Sequence, residues 1–392
     1  MPDGPRSNHH AAMSVLTSGT FSNGRRRRTT LTLATVLLLT GSMFTPSVAH
    51  AAIPGHGFGY VWANEATKEI GVEYTPSTSW NFNSTGATNT AVHIGTGRYR
   101  VRFPGYGSFG TAMVTAYGKV RLDDYCKING WITPPGIDAT DLFVNCFDRD
   151  GVPADTMFTA TYTDPEQGMP RGAFLWNERA SNPIDSAYEP SLSFQFNSTG
   201  NRNWVDRYAT GRYLVGLTGL GPTQGPGDFL VTAYGTFPNP TAYCTVKGTN
   251  EDSFSVFLNV DCLTPSGDFA DSQFVVSYIE SGDTLFTPTG SRRMAYADIT
   301  CTDIFGSRGI CFILKGRPSD GLTVKKVENG EWRVLLPVAL SGGNVQVTTF
   351  NGEPKRRCKV GSWGDGDGVR VVCRDRLGQA VTRVRFIVSY VA

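Results

Sequence analysis

The chain has 392 residues, of which 18% are charged and 45 are glycine, and its formal net charge is +2. That length suits two to four ordinary domains. Low charge with many aromatics and glycines excludes a disordered chain or a helical bundle and points to compact all-β modules with many turns.

Residues 1–51 read as a secretory signal. Arg25 to Arg28 are a basic segment, Leu31 to Leu39 a short apolar one, and Ala49-His50-Ala51 an A-x-A cleavage signal, so the mature chain begins near Ala52. The apolar run is too short to cross a bilayer, and no transmembrane segment is expected in the mature chain. Paired arginines also suit twin-arginine export, but Thr29 and Thr30 stand where that signal wants a bulky apolar residue, which favours ordinary secretion.

Beyond residue 51 the sequence repeats itself. Phe82-Asn83-Ser84-Thr85-Gly86 returns as Phe196-Asn197-Ser198-Thr199-Gly200, an offset of 114. Tyr60-Val61-Trp62 meets Phe174-Leu175-Trp176, and Thr96-Gly97-Arg98-Tyr99 meets Thr210-Gly211-Arg212-Tyr213, at the same offset. Val114-Thr115-Ala116-Tyr117-Gly118 meets Val231-Thr232-Ala233-Tyr234-Gly235 after a drift of three residues, as loop insertions between fixed strands would produce. A third, divergent copy ends the chain. Gly330 to Val334 stands for Gly97 to Val101, Val347 to Gly352 for VTAYG, and Trp363 follows where Trp131 did.

Each copy reads as short strands. In Arg98 to Phe103, period two puts Tyr99, Val101 and Phe103 on one face and three arginines on the other. The matching core sets are Tyr213, Val215 and Leu217, then Trp332, Val334 and Leu336. The closing strands add Phe158 and Tyr162, Phe274 and Tyr278, Phe386 and Tyr390, and Trp62 and Trp176 are expected inside as well. Seven or eight such strands per full copy give the pattern of an antiparallel sandwich, immunoglobulin-like or jelly-roll. The expected organisation is a signal at 1–51, β-sandwich repeats at 52–165 and 166–285, a linker at 286–299, and a truncated, basic third repeat at 300–392.

All eight cysteines follow residue 51, and an even count in an exported chain favours disulfides. Zinc is the competing use, but there is no C-x-x-C pair and histidines are few. Repetition pairs Cys126 with Cys146, Cys244 with Cys262 and Cys358 with Cys373, leaving Cys301 with Cys311.

GTGRYRVRFPG (95–105), the VTAYG strand, the two-cysteine hairpin and the closing D-x-x-F-x-x-x-Y resemble tandem secreted β-sandwich repeat modules of filamentous, high-GC actinobacteria. The resemblance covers nearly the whole mature chain and implies an extracellular location and a fold class, with no activity. Strand number and the G-x-Y-x-V strand are also similar to jelly rolls of the C1q and tumour-necrosis-factor group.

No catalytic constellation stands out. Past the signal only His56 and His93 remain, in different segments, and His93 reads as a surface or strand-end histidine rather than part of a Ser-His-Asp site. Asp155 and Asp271 recur before the closing strand and read as turn caps, where the third copy has Arg383. Asp148-Arg149-Asp150-Gly151 and Asp365-Gly366-Asp367-Gly368 read as hairpin turns rather than calcium loops, since Thr159 and Arg376 stand where the loop wants Glu. FNSTG reads as a turn with Gly86 and Gly200 left-handed, not as a glycosylation signal. No cofactor or metal is expected.

Charge is unevenly placed. Residues 301–392 carry +7 and residues 1–51 carry +4, which leaves −9 for residues 52–300. Lys355, Arg356, Arg357 and Lys359 form the densest basic cluster, and an exposed cluster of this kind attracts anionic partners. The chain thus reads as a secreted, non-enzymatic binding or scaffold protein. Candidate partners are an anionic cell-wall polymer, a glycan or a secreted protein; nucleic acid is not expected. The alternatives are a secreted hydrolase with a cryptic carboxylate site and an accessory or inhibitor subunit of a secreted complex.

Overall fold

A computed structural model describes residues 57–392 apart from 120–121, 165–170, 222–226, 281–293, 305–307, 318–320, 351–354 and 365. The expected signal segment, His56, Asp365 and most of the expected linker lie outside the described residues.

The described chain is β throughout, with two single-turn 3₁₀ segments at Thr78–Trp80 and Leu192–Phe194. Repeat 1 contains β1 (Gly57–Ala63), β2 (Glu73–Tyr74), β3 (Asn81–Asn83), β4 (Thr90–Gly95), β5 (Arg98–Pro104), β6 (Thr111–Tyr117), β7 (Tyr125–Ile132), β8 (Ala139–Phe147) and β9 (Met157–Asp164). Repeat 2 contains β10 (Gly172–Trp176), β11 (Gln195–Asn197), β12 (Asn203–Ala209), β13 (Arg212–Thr218), β14 (Asp228–Tyr234), β15 (Tyr243–Glu251), β16 (Ser255–Leu263) and β17 (Gln273–Ile279). Repeat 3 contains β18 (Met294–Ile304), β19 (Arg308–Arg317), β20 (Thr323–Glu328), β21 (Glu331–Leu335), β22 (Asn344–Phe350), β23 (Arg356–Gly364), β24 (Gly368–Asp375) and β25 (Arg383–Val391).

The alternation read from the sequence sets the cores. Tyr99, Val101, Phe103, Phe158 and Tyr162 are buried, as are their counterparts in repeats 2 and 3. Each repeat packs two half-sheets around its own core. All four expected disulfides are present: Cys126–Cys146, Cys244–Cys262, Cys301–Cys311 and Cys358–Cys373.

The repeats are not beads on a string. Each of the three sheets is built from two repeats, in the orders β20-β21-β24-β23-β6-β9-β1-β3, β11-β10-β17-β14-β7-β8-β5-β4-β2 and β12-β13-β16-β15-β22-β25-β18-β19. The joints are single parallel bridges at Tyr117 with Val360, Tyr234 with Ile128 and Phe350 with Val246. Just past each joint, β7, β15 and β23 carry a bulge, which bends and twists the strand away from its new neighbour. Repeat 3 pairs with repeat 1, so the three repeats close a ring about an approximate threefold axis.

Along that axis β6, β14 and β22 exchange hydrogen bonds in a cycle. The amide of Val114 donates to Thr232 Oγ1 (3.4 Å), that of Val231 to Thr348 Oγ1 (3.1 Å) and that of Val347 to Thr115 Oγ1 (3.1 Å).

Two expectations are corrected here. Residues 294–299 are not linker: β18 pairs with β25 as β1 pairs with β9, so repeat 3 has its opening strand. Ala295, Ala297, Ile299 and Cys301 face inward, and Tyr296-Ala297-Asp298 stands where the other openings have Tyr60-Val61-Trp62 and Phe174-Leu175-Trp176. Trp62 and Trp176 are half-buried rather than in a repeat's core; they face the joints.

The FNSTG stretches are built alike. Asn83 Nδ2 donates to Asn89 Oδ1 and to the Pro104 carbonyl, while its Oδ1 accepts from the amide and hydroxyl of Thr85. Asn197 repeats every one of these bonds with Asn203, Thr218 and Thr199. Both asparagines are buried, which fits a structural turn, and Gly86 and Gly200 are left-handed at φ 81° and 76°.

Candidate functional site

Equivalent positions at the three joints are fixed by register. Trp62 pairs with Thr159, Trp176 with Val275 and Asp298 with Ile387, each one residue past the buried phenylalanine of the closing strand. Tyr117, Tyr234 and Phe350 hold the parallel bridges. Trp131, Thr249 and Trp363 pair with Leu142, Leu258 and Val369 on the neighbouring hairpin strand.

At the joint of repeats 1 and 3 these positions form an aromatic box. Trp62 meets Trp80, Tyr117 and Trp363 at 5.2, 4.9 and 5.8 Å between ring centroids, and Tyr117 meets Trp363 at 5.2 Å. The joint of repeats 1 and 2 has the same box. Trp176 meets Phe194 at 4.3 Å, Tyr234 at 4.5 Å and Trp131 at 6.3 Å, and Trp131 meets Tyr234 at 5.2 Å. These spacings suit tilted and edge-to-face aromatic packing. The third joint replaces the box with an ion pair: Arg385 grips Asp298 at 2.8 and 2.5 Å and lies 3.6 Å over the Phe350 ring.

The two aromatic boxes differ in one respect. At repeats 1 and 3 the turn before β22 folds over the box. The Gly343 amide donates to the Ser79 carbonyl at 2.9 Å, and Trp363 Nε1 donates to the Gly342 carbonyl at 2.9 Å. A Cβ on Gly342 would stand 2.2 Å from the Ser79 carbonyl oxygen, so only glycine allows this approach. The position equivalent to Gly342, two residues before the strand, is Phe109 in repeat 1, and its side chain is 64% exposed. Gly110 donates instead to Tyr162 Oη of its own repeat at 3.0 Å.

The result is an open cleft of about 440 Å³ between repeats 1 and 2. Trp131, Trp176, Phe194 and Tyr234 floor it; Phe109 and Ile132 stand at its rim; Ser108, Thr133 and Ser193 supply hydroxyls. Trp131 Nε1 donates to the Ser108 carbonyl at 3.0 Å, which fixes the ring. Burial pushes the Tyr234 phenol up to about 12, so it is neutral at ordinary pH. None of the described residues lining the cleft is Asp, Glu, Lys, Arg or His. The volume lies in the ordinary range of small-ligand sites.

A second cleft, of about 620 Å³, lies between repeats 1 and 3 and is lined by Glu65, Glu69, Asp124, Asp155, Lys68 and Lys359 among others. Three of these four carboxylates are engaged by neighbours. Glu65 pairs with Lys68 at 2.8 Å, Asp124 accepts from Thr156 Oγ1 at 2.7 Å, and Asp155 accepts from the Gly97 amide at 2.7 Å. Asp271 accepts from the Gly211 amide in the same way at 2.8 Å, as expected of a turn cap. His93 is not at the surface. It is buried against Tyr99, with Nε2 3.0 Å from Asp155 and Nδ1 2.6 Å from the Lys68 carbonyl, and Arg207 holds Asp271 in its place in repeat 2. Asp148 likewise caps its own turn, accepting from the amides of Asp150 and Val152.

The basic cluster does not form one exposed patch. Arg357 is buried on the axis, 4.6 and 5.0 Å from the rings of Tyr125 and Tyr243, and its Nη2 donates to the Arg149 carbonyl at 3.1 Å. Lys359 is 3% exposed, facing the acidic cleft. Lys355 and Arg356 are half-buried, and Arg356 donates to the Arg383 carbonyl. The cause is the hairpin's place in the ring: alternate residues of β23 face repeats 1 and 2, so half of the cluster is drawn inward.

Sequence reasoning found Trp131, Trp176 and Tyr234 as repeated positions but not as a site. Phe109 and Phe194 lie outside the matched stretches and gave no signal. No family model, curated protein or solved structure matches this chain.

Proposed function

We propose that the protein is a secreted, non-enzymatic binding protein, and that the open cleft between repeats 1 and 2 takes an uncharged glycan. The observation that carries this reading is an aromatic floor edged with hydroxyls and free of charged side chains. Flat indole and phenyl faces stack on the apolar face of a sugar ring, and nearby hydroxyls and carbonyls exchange hydrogen bonds with its hydroxyl groups. At the joint of repeats 1 and 3 the chain's own turn lies over the matching box, and Tyr117 is the box aromatic that lines the neighbouring charged cleft. Four disulfides favour an oxidising compartment.

The test is retention of the full chain on neutral polysaccharides and on anionic wall polymer, across a range of salt. Retention on a neutral glycan is expected, insensitive to salt because none of the described residues lining the cleft is ionised. Trp176→Ala and Trp131→Ala are each expected to weaken it by about 0.5–1.5 kcal/mol. Retention confined to anionic polymer, lost with salt and unchanged by both variants, would refute the reading. The acidic cleft favours hydrolysis as the second reading, and release of reducing ends by wild type but not by Asp124→Asn would move the assignment there.

A further inference from the structure

A small cavity of about 40 Å³ lies on the approximate threefold axis, at the end where β6, β14 and β22 begin. Its walls come from all three repeats and include Thr111, Asp228, Asn344 and Ser389. Asp228 is 5% exposed. One carboxylate oxygen, Oδ2, accepts from the Ser389 hydroxyl; the other, Oδ1, is buried without a hydrogen-bond partner. Thr111 is 4% exposed, and its Oγ1 is likewise buried without a partner. Thr161, Thr163 and Ser277 also line the space.

No lysine, arginine or histidine is among the described residues lining this cavity. A carboxylate sealed from water without a counter-charge either stays protonated or takes a cation. Room for one water needs on the order of 10–15 Å³, so the cavity accommodates an ion with a water or two. The available donors are oxygens, the ligands of hard cations. A single carboxylate is neutralised by a monovalent ion, whereas a divalent one would leave a buried positive charge.

We propose that this axial cavity is a binding site for one monovalent hard cation of the sodium type, held by Asp228 Oδ1 and Thr111 Oγ1 at the meeting point of the three repeats. It is independent of the glycan cleft. One further fact agrees. Asp298 is itself paired with Arg385, so that arginine is not available to Asp228. An ionised Asp228 in an empty site is a bare buried charge, and a cation removes that cost.

The test is thermal melting of the full chain at pH 8 and constant ionic strength, with sodium exchanged against choline. A saturable rise in melting temperature with sodium is expected. Asp228→Asn is expected to abolish the sodium dependence. Should that variant fail to fold, Thr111→Val is read instead, and it is expected to raise the sodium concentration needed for half the effect. Equal melting in sodium, potassium, lithium and choline at pH 8 would overturn the proposal, leaving a protonated acid beside water. A rise with calcium but not with sodium would overturn the monovalent assignment.

Discussion

Phe109 in repeat 1 stands where Gly342 stands in repeat 3, and this exchange leaves one aromatic box open and the other shut. Gly342 has φ +86° and lies against the Ser79 backbone. Gly342→Ala is expected to destabilise the protein by about 1–3 kcal/mol, since the added carbon meets backbone that cannot turn aside. Denaturant melts check this. A change within error would mean that the turn does not seal the joint. Phe109→Gly, by contrast, is expected to leave the melt unchanged and lower glycan retention.

Arg357 is expected to act as a keystone of the axis. It faces Tyr125 and Tyr243 and donates to a carbonyl of repeat 1. Arg357→Ala is expected to cost about 1–3 kcal/mol. Arg357→Lys should restore little of it, because ammonium lacks the planar fork that stacks and donates together. Full stability in both variants would return Arg357 to the solvent-facing role suggested by its charge.

Lys127 gives a pH signature. It is fully buried, its Nζ is 3.4 Å from the Asn239 carbonyl, and burial lowers it to about 7. Between about pH 7 and its ordinary value of 10.5 the unfolded chain holds this proton and the folded chain does not. Stability from this group therefore rises with pH across that window and is flat above it. Lys127→Met is expected to melt higher at pH 7 and to lose the rise. A wild-type curve that falls between pH 7 and 9, with the variant's falling in parallel, would show that Lys127 keeps its proton in the fold.

A chain ending at residue 280 is expected not to unfold as one unit. Removing repeat 3 strips β23 from β6 and β22 from β15, exposing two sheet edges and the axis. Such edges invite association. Calorimetry is expected to find a broadened transition, with binding of hydrophobic dye. A sharp transition at the full-length temperature would mean that the repeats fold independently.

Much of the fold was legible because its signals are local and repeated. Tyr99, Val101 and Phe103 alternate, and the same alternation at Tyr213 and Trp332 turns one weak pattern into three. The cysteine pairs followed from the same repetition. What alternation cannot say is which body covers a given face. Trp62 and Trp176 were read as core because they are large and apolar, but the neighbouring repeat covers them in part. Arg357 and Lys359 were read as surface because they are charged, yet the ring closes over them. The strand at 294–304 was half missed because Asp298 stands where the other opening strands carry Trp62 and Trp176. The open cleft depends on one residue, Phe109, in a turn with no recurring pattern.

The three joints carry a further consequence. Three separate identical subunits around an axis must repeat every contact, so a choice made at one seam is made at all. Here the subunits are written into one polypeptide, and each seam has its own chemistry: Trp62 packed and lidded, Trp176 left uncovered, Asp298 bound to Arg385. A change at the uncovered seam leaves the other two free to go on holding the molecule together.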